Sequence, residues 1–169
     1  MTPLVLRRPD PTFLGVPFCA LDAVAAGDFA VLGAAHGTPY PATNDVGYEV
    51  DTASADAPAA IRTGAVQSSS NLDHWDYDLG GPLFAGGPDR LVDCGDIATT
   101  PADGPANRAQ IEAATRAVVG RGAVPVLLGG DDSVPIPFHR GFAEAGPLAI
   151  LQIDAHIDWR DGNLVLTDR

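Results

Sequence analysis

Residues 124–158 hold two short aliphatic runs, each ending in a polar cluster: Val124-Pro-Val-Leu-Leu-Gly-Gly-Asp-Asp-Ser133 and Leu148-Ala-Ile-Leu-Gln-Ile-Asp-Ala-His-Ile-Asp158. Runs this short, continuous and apolar suit strands of a parallel sheet covered on both faces. In an open parallel sheet, ligands bind outside the carboxyl ends of the strands. Both clusters are therefore expected at one sheet edge, adjacent if the two strands are neighbours. Side chains alternate along an extended segment, so Asp154, His156 and Asp158 point to one side. An imidazole between two carboxylates is a good ligand set for a hard or borderline divalent ion. Gly129 and Gly130 permit tight turning and close backbone approach before Asp131. The same spacing also fits a solvated turn, with an aspartate capping a helix and the histidine exposed. The position of both clusters after strand-like runs weighs toward metal binding.

Upstream, Phe29-Ala-Val-Leu32 lies between Gly27 and Gly33, and Arg90-Leu-Val-Asp-Cys94 precedes Gly95. Both read as further buried strands. Asn107 to Val119 reads as a helix with Ile111, Ala114, Ala117 and Val118 on one face and Gly120 as its stop. A second helix includes Pro58 to Arg62, and a third runs near Pro137 to Ala145. Strands alternating with helices indicate an α/β domain with a parallel sheet. Gly37 to Ala57 and Gln67 to Gly87 read as long loops, either functional or simple surface excursions. No internal repeat interrupts this order.

The 169 residues suffice for one ordinary domain, and 46% hydrophobic with 19% charged residues indicates a globular chain. A net charge of −12 repels phosphate backbones and anionic lipid, so neither nucleic acid nor a membrane surface is expected as partner. Cys19 and Cys94 are distant in sequence and form no CxxC motif; they read as small buried apolar side chains, with a disulfide or metal role as the minor alternative. Two arginines near the N-terminus are followed by no apolar run, and no stretch reaches membrane-spanning length. A soluble, cytoplasmic protein is the expectation.

The second cluster resembles the D-A-H-x-D signature of the metal-dependent ureohydrolases, the agmatinase/arginase family. The first resembles their G-G-D-H-S signature with one change. Val31-Leu-Gly-Ala-Ala-His-Gly-Thr38 is similar to the family's first strand and loop, and Ala57-Pro-Ala-Ala-Ile-Arg62 to its G-P-x-A-I-R helix start. Leu91-Val-Asp-Cys-Gly-Asp96 is similar to its D-x-G-D strand end, so the likeness spans about residues 28–161 in the family's order. The resemblance implies a three-layer α/β/α sandwich around a mostly parallel sheet, here incomplete at the C-terminus. Residues 1–169 are thus expected to form a single, C-terminally truncated ureohydrolase-like domain.

The resemblance also implies two divalent ions, typically manganese, sharing a hydroxide that attacks a guanidinium carbon and releases urea. Asp154 would bridge both ions, His156 would bind one and Asp158 the other. Asp132 stands where the family has its first-motif histidine. A carboxylate there still offers an oxygen, but its charge and shorter reach open the site to other divalent ions or to single occupancy. Asp131 is expected to support the loop, or the side chains that hold the metal, rather than bind metal directly.

The family's later S-x-D-x-D motif does not follow Asp158, and the sequence ends at Arg169. Trp75-Asp-Tyr-Asp78 is the nearest look-alike, but it precedes the metal motifs and lacks the serine. The resemblance therefore implies that the complete protein is a metal-dependent hydrolase of a small guanidino compound, agmatinase-like and homo-oligomeric, releasing urea and an amine. The alternative is a non-catalytic truncated member that retains at most partial metal binding or oligomer contacts. His36 and His74 are candidates for the substrate entrance, with a plain surface-loop role as the competing reading. Arg62 is expected to be an exposed arginine that pairs with an acid or fixes a helix end, and His139 to be structural.

Overall fold

The computed structural model describes residues 3–37, 52–84, 90–100 and 103–155. In chain order the elements are β1 (Leu6–Arg7), β2 (Phe29–Gly33), α1 (Ala57–Ala65), β3 (Trp75–Asp76) and β4 (Gly81–Pro82). They are followed by β5 (Leu91–Ile97), α2 (Gly104–Val119), β6 (Val124–Leu128) and α3 (Pro135–Arg140). The main sheet has the order β1-β5-β2-β6, and β3 and β4 form a separate small antiparallel ribbon. β2 pairs in parallel with β5 on one side and β6 on the other, while β1 adds antiparallel to β5.

The aliphatic runs fix this arrangement because each strand of the centre must bury both of its faces. Ala30, Leu32, Val92 and Cys94 face a core shared with Ile111, Ala114 and Val118 of α2. Val31 and Leu91 face the opposite core, together with Val16 and the partly buried Phe13, Leu14, Val126 and Leu128. α1 covers this second face: its Arg62 reaches Asp93 and Asp96 of β5, and Asp93 is in register with Val31. The result is an α/β/α arrangement with a mixed, mostly parallel sheet, as the sequence implies.

α2 starts where Asp103 accepts a hydrogen bond from the Ala106 N–H at 3.0 Å, with a proline in the first turn. Its buried face consists of Asn107, Ile111, Ala114, Thr115 and Val118. Thr115 rather than Ala117 completes that face, because it lies one turn beyond Ile111 and its hydroxyl donates to the Ile111 carbonyl. The third helix is shorter than the sequence suggests: α3 ends at Arg140, and turns occupy the next four residues.

One expected strand does not form. Residues 148–153 carry no strand pairing, and Leu151 and Ile153 are 88% and 92% exposed. An aliphatic run supplies strand propensity, but only a hydrogen-bonded neighbour makes it a strand, and no described strand lies beside this one. The loop expected over residues 67–87 conversely contains the small β3–β4 ribbon, joined by a turn at Asp76–Gly80.

Candidate functional site

The chain leaves β2 through α1 to β5 on one side, whereas β6 lies on the other. β2 is thus the switch point of the sheet, where a crevice opens outside the carboxyl ends of the strands. The ends of β2 and β6 stay zipped beyond the strands: Ala34 N–H donates to Leu128 O at 2.8 Å, and Asp131 N–H to His36 O at 3.2 Å. Gly130 permits this closeness, since a Cβ there would lie 1.9 Å from the His36 carbonyl oxygen. Asp131 Oδ1 accepts from the backbone N–H and the hydroxyl of Ser133, at 3.1 and 2.5 Å. That bond set folds the turn leading into α3, so the Asp131 side chain supports the loop.

His36 is buried behind this loop. The Asn107 amide oxygen accepts the Thr100 N–H, and its nitrogen donates to the Thr100 carbonyl, each at 2.8 Å. Its second amide N–H faces His36 Nδ1 at 3.1 Å, so Nδ1 must accept and the ring proton is assigned to Nε2. Burial pulls the His36 pKa below the usual imidazole value; the Asp131 carboxylate opposes this and Arg108 adds to it. His36 is therefore a neutral ring with Nε2–H as a donor, and that atom has no hydrogen-bond partner among the described residues. Asn107 thus fixes the orientation of the His36 ring behind the loop. Sequence reading passed over Asn107, which looks like an ordinary first-turn residue; only the folded contact with His36 reveals its role.

Behind the other side of β2 lies a buried charge network. Asp93 accepts from Arg62 Nε at 2.8 Å and Nη2 at 3.1 Å, from the Phe13 N–H at 2.7 Å and from the Gly95 N–H at 2.8 Å. Arg62 Nη1 donates to Asp96 Oδ1 at 2.5 Å. Gly33 leaves room for this pair, because a Cβ there would lie 1.7 Å from Asp96 Oδ1. Desolvation alone would lower the Arg62 pKa, but the hydrogen bonds to Asp93 and Asp96 outweigh it and raise the pKa. Arg62 pairs with acids as expected, but it is fully buried rather than exposed.

Of the expected metal ligands, Asp132 is exposed in the turn after β6, and its side chain makes no hydrogen bond or ion pair among the described residues. Asp154 is exposed at the end of the unpaired 148–153 segment. His156 and Asp158 lie outside the described residues. Among the described residues no three His, Cys, Asp or Glu side chains cluster as a metal site. The donor chemistry of the four, three carboxylates and an imidazole, nevertheless suits a hard or borderline divalent ion. His74 is exposed just before β3; beyond that ribbon, Phe84 packs on Phe29 at the amino end of β2. No contact joins His74 to the His36–Asp131 cluster among the described residues. His139 sits in α3 with its ring against Phe138.

The chain is 31% identical over 122 residues to the mitochondrial agmatinase of Gallus gallus, spanning 69% of this chain and 34% of that protein. It is 35% identical over 72 residues to the guanidinopropionase of Pseudomonas aeruginosa, spanning 43% of this chain and 23% of the relative. The structure resembles the proclavaminate amidino hydrolase of Streptomyces clavuligerus, with a TM-score of 0.68 and 28% identity over 88% of this chain and 44% of that one. The fold of formimidoylglutamase from Bacillus subtilis also matches, with a TM-score of 0.66 at 22% identity over 96% of this chain and 47% of that one. The chain thus spans about a third or less of these curated relatives and under half of these structures. Residues 28–165 match the arginase family, and the chain belongs to that family.

Proposed function

We propose that the complete protein is a metal-dependent hydrolase of a small guanidino compound, agmatinase-like, releasing urea and an amine. The observation that carries this reading is the Gly129–Ser133 loop at the carboxyl end of β6, zipped to the end of β2 within a family match over residues 28–165. Asp132, Asp154, His156 and Asp158 are the side chains proposed to hold divalent ions, manganese first, with other ions open because Asp132 replaces an imidazole. When bound, such ions lower the pKa of a water toward neutrality and stabilise developing charge. Asp131 holds the loop turn from which Asp132 projects, and Gly130 keeps that loop against His36.

The guanidino group is the shared part of the proposed substrate, and its remaining side chain is left open. The names of the relatives, agmatinase, guanidinopropionase and proclavaminate amidino hydrolase, refer to different compounds. No helix among the described residues is long and apolar enough to cross a membrane; a soluble, cytoplasmic, homo-oligomeric enzyme is the form we propose. A second reading applies to residues 1–169 alone, as a single ureohydrolase-like domain without catalysis. It is favoured by the segment bearing Asp154, which lies outside the sheet.

Urea release from a panel of guanidino compounds tests the proposal, using the polypeptide carried through whatever coding sequence follows Arg169. Urea formation that needs added manganese and stops with chelator is expected. No urea from any member of the panel, with metal supplied and the protein folded, overturns it.

A further inference from the structure

Pro17 to Cys19 run alongside β5 on the edge that β2 leaves open. Phe18 forms a parallel bridge with Asp93: Asp93 N–H donates to Pro17 O at 3.0 Å and Cys19 N–H to Asp93 O at 2.9 Å. The bridge is isolated, since the Gly95 N–H turns back to Asp93 Oδ1, but Cys19 and Cys94 each directly follow a bridged residue. Side chains alternate along extended backbone, and both cysteines lie on the α2 side: Cys94 within that core and Cys19 packed against it. Neighbouring strands lie roughly 4.7–4.9 Å apart, within the Cα separation of about 4.4–6.8 Å that a disulfide spans. The two thiols are both free and differ in access: Cys19 is partly exposed and Cys94 is buried. We propose that Cys19 and Cys94 form an oxidisable dithiol, which peroxide converts to an intrachain disulfide fastening the 16–19 segment to β5.

The reaction begins at the accessible sulfur. The Cys19 thiolate attacks one oxygen of hydrogen peroxide, the O–O bond breaks, and a sulfenic acid and hydroxide result. The Cys94 sulfur then attacks the Cys19 sulfur; the S–O bond breaks, and the hydroxyl leaves as water with the Cys94 proton. The two sulfurs together lose two electrons, and the peroxide is reduced to two waters. Burial raises the Cys19 thiol, and Asp28 and Asp22 add to the effect against Arg121. Burial, with Cys19, Asp93 and Asp28, pushes Cys94 up to about 12. Thiolate is thus scarce at neutral pH, so the link forms slowly there and faster at alkaline pH.

Peroxide treatment of the purified chain at alkaline pH, followed by tryptic digestion without reductant, reads the link directly. Joined peptides 8–62 and 91–108, separated by dithiothreitol, are the expected product, and titratable thiols fall from two to none. The oxidised chain is expected to melt several degrees higher than the reduced one, because the link closes a long loop. Cys19→Ser and Cys94→Ser each abolish both the linked peptide and the shift. Wild-type chain that retains two free thiols, or that oxidises Cys19 to sulfonic acid or to an intermolecular dimer without joining Cys94, overturns the proposal.

Discussion

Arg62 carries its charge at 1% exposure because two carboxylates on β5 supply nearly everything that water would have supplied. Asp93, fully enclosed, receives four donors, so neither partner keeps an unmet polar atom at that contact. Such a pair adds little net stability when intact, but removing one member strands the other charge in the core. Arg62→Met is therefore expected to cost about 3–5 kcal/mol, read as a lower urea-denaturation midpoint. A loss within about 0.5 kcal/mol, the range of ordinary surface substitutions, would show that the network is not buried as described. The sequence points to an acid partner for Arg62, but its burial depends on residues 31 and 34 positions away. The same limit applies to His36 and Asn107, 71 residues apart: neither a heptad nor an alternation connects them. The loop-supporting role of Asp131 was readable because the bonds its Oδ1 accepts from Ser133 span only two residues, in the Gly-Gly-Asp-Asp-Ser turn itself.

At the scale of elements, 124–128 and 148–153 read alike and behave differently. Val124 N–H donates to Asp28 O and Ala34 N–H to Leu128 O, so Val126 and Leu128 also turn their amides toward β2. Pro125 and Leu127 face the opposite edge of β6, where no described strand pairs. Residues 148–153 have the apolar composition of a strand without a neighbouring ladder. Apolar patterning reports what a segment can bury, and β2, β5, β6, α1 and α2 were legible because each finds a strand or core to pack against. Pairing is a property of two segments at once, which is why the same reasoning failed for 148–153 and passed over the two-residue β1, β3 and β4. Hydrogen exchange followed by mass spectrometry separates the two cases. Slow exchange is expected at Val126 and Leu128, and fast exchange, close to that of an unstructured peptide, across residues 148–153. Strong protection of residues 148–153 in the isolated chain would mean that they have found a strand partner.

At the scale of the whole molecule, the edge of β6 has no strand partner among the described residues, and a nearly solvated aliphatic run follows α3. The two features differ in what they can drive. Pro125 removes one donor from the open edge of β6, leaving Leu127 as the strand's only outward N–H, so ladder pairing with another chain is restricted. Leu148, Ile150, Leu151 and Ile153 are all exposed, and contiguous apolar surface of that kind favours association whatever the backbone offers. The net charge of −12 opposes contact between copies, a repulsion that salt screens. Purified chain 1–169 is therefore expected to self-associate as its concentration rises, and more strongly at high salt, when followed by sedimentation velocity. Leu151→Asp combined with Ile153→Asp should shift it toward monomer. The thermal midpoint should hardly move, because neither side chain belongs to either core. A wild-type chain that stays monomeric at every concentration and salt level would show that the aliphatic run is covered by its own chain. A double variant that still associates would instead shift the contact to β6 or to the exposed Trp75, Tyr77 and Leu79 of the small ribbon.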